Sequence, residues 1–237
     1  MKRAIKSVVA LAMLVLVVTG AAPKPSDDDT YNYGGAKLTP LERRGRDTWY
    51  LWAAGDQRLW RQIAMITNGA TDLLQYVDSR RNGTRFRDLG VITEPGCTKA
   101  TAPDEYGLWF DKCPSEGVTD IPGEPTGVMG LRKFPNPNFD KSKWSLQKYL
   151  ENPKNVEPPY LVGMTCGYCH NAFNPQNPPE DPEHPHWKNI VPALGNQYLE
   201  EGKLFLLNLK PDDFRWHVAN RQPAGTSDTS RVATDHI

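Results

Sequence analysis

The chain has 237 residues, with 28 basic and 28 acidic side chains balancing to a formal charge of zero and a mean hydropathy of −0.60. That balance gives no electrostatic case for nucleic acid or for a polybasic attraction to a membrane surface. The 19 Gly and 21 Pro stand modestly above average but below the level that marks disorder, so the composition predicts a compact, loop-rich globule of one large or two small domains.

Residues 1–22 read as a secretory signal peptide. Lys2, Arg3 and Lys6 precede an apolar run over 8–18, and Thr19-Gly20-Ala21-Ala22 supplies small residues for cleavage after Ala21 or Ala22. The run is short of the ~20 apolar residues of a membrane span; an uncleaved anchor is the competing reading. Losing the leader takes 28 basic residues to 25 against 28 acidic ones, with no membrane attachment after cleavage. Residues 23–38 are polar, with Asp27-Asp28-Asp29, and read as a flexible mature N-terminus. Residues 39–237 then form a single loop-rich domain.

Thr39-Pro40-Leu41-Glu42 announces a helix, with Thr39 as cap, Pro40 in the first position and Glu42 as capping-box partner. It is predicted to run to about Ala54, to end at Gly55, and to carry Trp49 and Trp52 on one face, with Arg43, Arg44 and Arg46 solvated. Asp56 is expected to cap a second helix reaching Ile66. Asn68-Gly69 marks a turn, and Thr71 is the expected cap of a third helix bearing Leu73, Leu74 and Val77. The aromatic residues here are read as core, with a porphyrin wall as the alternative.

Cys97 and Cys113 form a natural disulfide pair in an oxidising compartment. Residues 104–160 are proline-dense and read as ordered loop, with one short helix at 143–150. A helix is expected over 161–169, another over 189–206 and a last short one over 212–220.

Cys166-Gly167-Tyr168-Cys169-His170 has the form C-x-x-C-H, the attachment site of a c-type haem. Two thiols at this spacing add across the two vinyl groups of one porphyrin, and the adjoining histidine supplies an axial nitrogen. Cys166 and Cys169 are therefore the expected thioether anchors, and His170 the proximal ligand of the iron. A thioredoxin-like pair would not require His170, and half of a zinc site lacks a second ligand pair. Bacterial haem attachment takes place outside the cytoplasm, which agrees with the leader and predicts a periplasmic or secreted protein.

The sixth iron ligand is open on these residues. None of the five methionines follows His170. Met164 is too close to the motif, and Met65 or Met129 would need an upstream segment to fold over the distal face. His184, His186, His217 and His236 are the other protein candidates, and an open position facing oxygen, peroxide or water is the remaining one.

The motif, the following Asn177-Pro178-Pro179-Glu180-Asp181-Pro182, Gly195-Asn196-Gln197-Tyr198 and the terminal run from Ser227 to His236 resemble the N-terminal haem region of the dihaem rubber oxygenases, distant relatives of the bacterial dihaem cytochrome c peroxidases. The resemblance spans roughly 39–237. It implies a mainly α, loop-rich, cytochrome c-like helical domain with little strand, whose first haem is the oxygen-binding one. That family has two such motifs and this chain one, so the domain is expected to be incomplete at its C-terminus. Three functions follow: a cytochrome passing electrons to a redox partner protein, the first half of an oxygenase- or peroxidase-like oxidoreductase, or a haem-binding fragment without activity.

Overall fold

The computed structural model describes residues 38–114, 121–205, 208–221 and 223–225. The leader, nearly all of the polar segment after it, the terminal run from Ser227 and His236 lie outside these residues.

Helix α1 spans Pro40–Leu51 and α2 Gln57–Ile66. The capping box at the head of α1 forms: Thr39 Oγ1 accepts the Glu42 N–H at 3.3 Å while Glu42 Oε2 accepts the Thr39 N–H at 2.8 Å. The helix stops at Leu51, three residues earlier than expected, because Trp52 is already extended. Ala54 (φ 52°) and Gly55 (φ 83°) then reverse the chain in left-handed conformation. Asp56 precedes α2 but makes no side-chain cap. Its carboxylate instead accepts Trp60 Nε1–H at 2.9 Å and the Met164 N–H at 3.0 Å, tying α2 to a strand a hundred residues away. Asn68 and Gly69 make the expected turn. The cap of α3 (Leu73–Tyr76) is Asp72, not Thr71. Asp72 is buried, accepts from Leu74 N and from Tyr149 Oη, and its pKa is raised chiefly by burial.

The mainly α expectation is corrected by the sheets. Among the described residues helix holds 32% and strand 12%, and two strands each place a residue in the main core, Leu131 and Val162. Strands β1 (Glu124–Pro125), β2 (Leu131–Pro135) and β3 (Tyr160–Met164) make an antiparallel sheet in the order β1-β2-β3, with Leu131 opposite Met164 and Pro135 opposite Tyr160. A second pair joins β4 (Asn171–Phe173) to β5 (Ile190–Pro192). The helix expected over 161–169 is thus strand up to Met164, followed by the single turn α6 (Cys166–Cys169). The helix expected over 189–206 is β5 and then α7 (Glu201–Phe205). The other helices are α4 (Arg85–Leu89), α5 (Leu146–Glu151) and α8 (Phe214–Ala219), the last two close to their predicted places.

The largest core packs α3, β2, β3, Tyr149 and Tyr168. A second gathers Tyr50, Leu51, Ile92, Met129, Trp187 and Ile190. Two buried ion pairs tie elements to loops: Arg85, the first residue of α4, to Asp111, and Arg132 of β2 to Glu94. No helix among the described residues is long and apolar enough to cross a membrane.

Cys97 and Cys113 are bonded, closing a loop of sequence separation 16. The backbone reinforces the closure: Thr98 and Lys112 exchange N–H···O bonds of 2.8 and 2.9 Å. By loop-closure entropy such a link stabilises the fold by about 3 kcal/mol. Replacing both cysteines by serine is therefore expected to lower the free energy of urea unfolding by that order. A loss below ~1 kcal/mol would show that the bridged loop is held as tightly without the bond.

Candidate functional site

The C-x-x-C-H residues sit where β3 runs out into α6. Cys166 and Cys169, three apart on one helical turn, share a side of that turn. Cys166 is exposed, Cys169 half-buried and His170 exposed. This places two thiols and an imidazole together at the surface, over a rigid floor.

Four contacts make that floor. The Thr165 N–H donates to the Gly130 carbonyl at 2.8 Å, and Thr165 Oγ1 to the Tyr50 carbonyl at 3.2 Å. Asn171 Nδ2 donates to the Gly167 carbonyl at 2.6 Å. Buried Tyr168 donates through its hydroxyl to Tyr76 Oη at 2.8 Å. Two glycines make the approach feasible. A Cβ on Gly167 would enter the Tyr50 ring. Gly130 has φ +76°, and a Cβ there would collide with the backbone of Tyr168.

The segment after β5 wraps the other side. Asn196 N–H donates to the Cys169 carbonyl at 2.7 Å, and Ala193 N–H to the His170 carbonyl at 3.2 Å. The His170 ring lies with Nδ1 2.8 Å from the Leu194 carbonyl oxygen. A carbonyl only accepts, so Nδ1 carries the proton and Nε2 of the neutral ring keeps a lone pair. Trp49 closes the remaining flank: its ring centroid is 6.0 Å from that of His170, and its Nε1–H donates to the His170 carbonyl at 3.3 Å. The Leu194 side chain, whose carbonyl anchors His170, is wholly exposed at 101%.

Sequence reasoning put Trp49 on a helix face, as core or as a porphyrin wall, but did not find its contact with His170 or the part played by Leu194. Trp49 was grouped with Trp52, which is 53% exposed just beyond the helix end. Leu194 acts through its carbonyl, which no side-chain pattern reveals; the adjoining Gly195-Asn196 turn was the available signal.

The structure disperses the proposed sixth ligands. Met129 is 2% exposed and packed in the second core with Trp187 and Ile190. Met164 Sδ lies 3.9 Å from Cys169 Sγ, on the motif itself. His184 is exposed and paired to Asp181 at 2.7 Å. His186 caps the 3₁₀ turn Trp187–Asn189, and His217 is exposed against Trp216. Met65 is half-exposed on α2. Among the described residues no three His, Cys, Asp or Glu side chains gather as a metal-binding group, so nothing there completes a zinc site from the two thiols.

Burial, and then the neighbouring charges of Glu201 and Cys166, push the Cys169 thiol up to about 11. At neutral pH it is a protonated thiol, unsuited to act as a thiolate nucleophile. With both thiols free, alkylation at pH 8 is expected to label exposed Cys166 well ahead of Cys169, as read by peptide mass; equal labelling would contradict the burial. Because the fold favours the neutral thiol, its contribution to stability is complete below the unfolded thiol pKa of ~8.5 and is lost as pH rises through 11.

No protein-family model, curated protein or solved structure matches the chain.

Proposed function

We propose that the chain is an exported c-type cytochrome domain that carries one covalent haem c at Cys166, Cys169 and His170, and that its work is redox chemistry at the haem iron. The observation that carries this reading is the His170 ring, outward-facing, with Nδ1 tied to the Leu194 carbonyl at 2.8 Å and two thiols on the adjoining turn. When bound, the haem supplies an iron that exchanges single electrons. The protein's residues do the rest. Cys166 and Cys169 anchor the ring as thioethers, and His170 presents Nε2 as the proximal ligand. The Leu194 carbonyl fixes the tautomer and the orientation of the ring. Trp49 keeps the imidazole from rotating. The disulfide supports a periplasmic or secreted location, since such bonds persist where the milieu is oxidising.

A second reading is an oxygen- or peroxide-using haem, as in the first half of a dihaem oxidoreductase. It is favoured by the commitment of Met129 to the core and of His184 to Asp181, which removes two of the strong-field ligands an electron-transfer iron would use.

Expression in a host that matures c-type haem, followed by absorption and spin-state spectroscopy, tests both. A six-coordinate low-spin iron with two protein ligands supports electron transfer to a partner protein. A high-spin or oxygen-bound iron supports the second reading, and a purified chain free of covalent haem sinks both.

A further inference from the structure

Away from the motif, the disulfide-closed loop meets α3 and α5 around a cavity of about 160 Å³. Leu74, Leu108, Trp109 and Leu146 give it an apolar side, with Leu150 half-exposed at the rim, and Gln75, Asn208 and three charged residues give it a polar one. The walls are held in place independently of any occupant. Ser79 N–H donates to the Trp109 carbonyl at 2.9 Å, and Ala100 N–H to Ser79 Oγ at 2.7 Å.

The charges at the cavity do not cancel. Asp78 and Arg80 neutralise one another through a two-pronged pair, and the Arg80 guanidinium lies 5.7 Å from the Trp109 ring centroid. Arg81 is the third charge. It is half-buried and has no carboxylate partner among the described residues. A partly desolvated guanidinium beside apolar walls is costly unless an anion meets it, and its planar fork matches a carboxylate. The volume limits what can follow: an apolar cavity of ~150 Å³ takes a benzene-sized molecule. A phosphate, compact and strongly hydrated, would leave these walls unfilled.

We propose that this cavity binds a small apolar monocarboxylate, of the size of an aromatic or branched aliphatic acid, with the hydrocarbon against Leu74, Leu108 and Leu146 and the carboxylate on Arg81. The site stands independently of the haem reading, because none of its lining residues belongs to the motif.

Calorimetric titration of the full chain with benzoate, benzamide and acetate tests it. Benzoate keeps both ring and charge, benzamide only the ring, and acetate only the charge. Benzoate is expected to bind saturably and about tenfold or more tighter than either of the others, the factor for one charge-assisted pair. Arg81→Gln is expected to abolish that preference while leaving benzamide affinity and the ligand-free melting temperature unchanged. The proposal is overturned if benzoate fails to saturate, if benzamide or acetate binds equally well, or if Arg81→Gln leaves benzoate affinity intact.

Discussion

The double variant Cys166→Ala, Cys169→Ala is expected to fold as the parent does and to carry no covalent haem. The effect is all-or-none, because each thioether needs a sulfur and no other cysteine is free: Cys97 and Cys113 are bonded to each other. The cost to the fold is small by comparison. Cys166 is exposed, so its thiol contributes little packing, and Cys169 gives up one half-buried sulfur at the edge of the largest core, with its contact to Met164. The bonds that brace α6 run through Thr165, Tyr168 and Asn171, and through the backbone of Gly130, none of which the substitutions touch. Intact-protein mass should therefore fall by one haem, and haem absorbance should be lost on acid–acetone extraction, with far-ultraviolet dichroism unchanged. Retention of an extraction-resistant haem would place the attachment elsewhere and end the reading. His170→Ala acts differently: it leaves both sulfurs, so any haem that attaches should lack its proximal nitrogen and show an altered iron spectrum.

What could be read from the residues alone divides along physical lines. The capping box at Thr39 and Glu42 was legible because its chemistry is local, three residues apart and written in side chains. So was the disulfide pairing, with two cysteines left over once the motif is set aside. The strands were not. Tyr160–Met164 is a short apolar run that a helix or a strand can equally contain. Leu131–Pro135 lacks alternation, since buried Arg132 points inward to Glu94 and to the Gly123 carbonyl. Each strand is defined by a partner some thirty residues distant, and no local pattern encodes that pairing. Asp56 shows the same limit in a helix cap: the residue is in the capping position, but tertiary structure claims its carboxylate for Met164. At the site, the two thiols and the imidazole were legible as a motif. The carbonyl of Leu194 and the glycine at 130 were not, because a backbone acceptor and a missing Cβ matter only once another segment is packed on them.

Arg85→Met is expected to bring the protein close to unfolding. Arg85 is 1% exposed and Asp111 fully enclosed, 2.6 Å apart through Nη1 and Oδ2. The same guanidinium donates to the carbonyls of Gly127 at 3.1 Å and of Val77 at 3.3 Å, while Asn82 Nδ2 donates to Asp111 at 2.6 Å. One side chain thus ties the end of α3, the start of α4, the disulfide loop and the turn leading to Gly130. Methionine fills the volume but leaves the Asp111 carboxylate buried without its cation, removes the donor to the Val77 carbonyl, and leaves the Gly127 carbonyl with the Glu94 N–H alone. Breaking a buried pair from one side costs ~3–5 kcal/mol, against a total of ~5–15 kcal/mol for an ordinary domain. The urea midpoint should fall sharply with an unchanged slope. Removing both charges, as Arg85→Met with Asp111→Leu, should recover part of the loss, because no uncompensated ion remains. The recovery is incomplete, since the Val77 carbonyl stays without the donor Arg85 gave it and Gly127 packs directly on the Asp111 side chain. Haem loading should follow stability across the three proteins. The turn that Arg85 secures through Gly127 delivers the Gly130 carbonyl to Thr165, and with it the seat of Cys166 and Cys169. Loading that stayed at the parental level in a destabilised Arg85→Met chain would show that the motif forms without that turn.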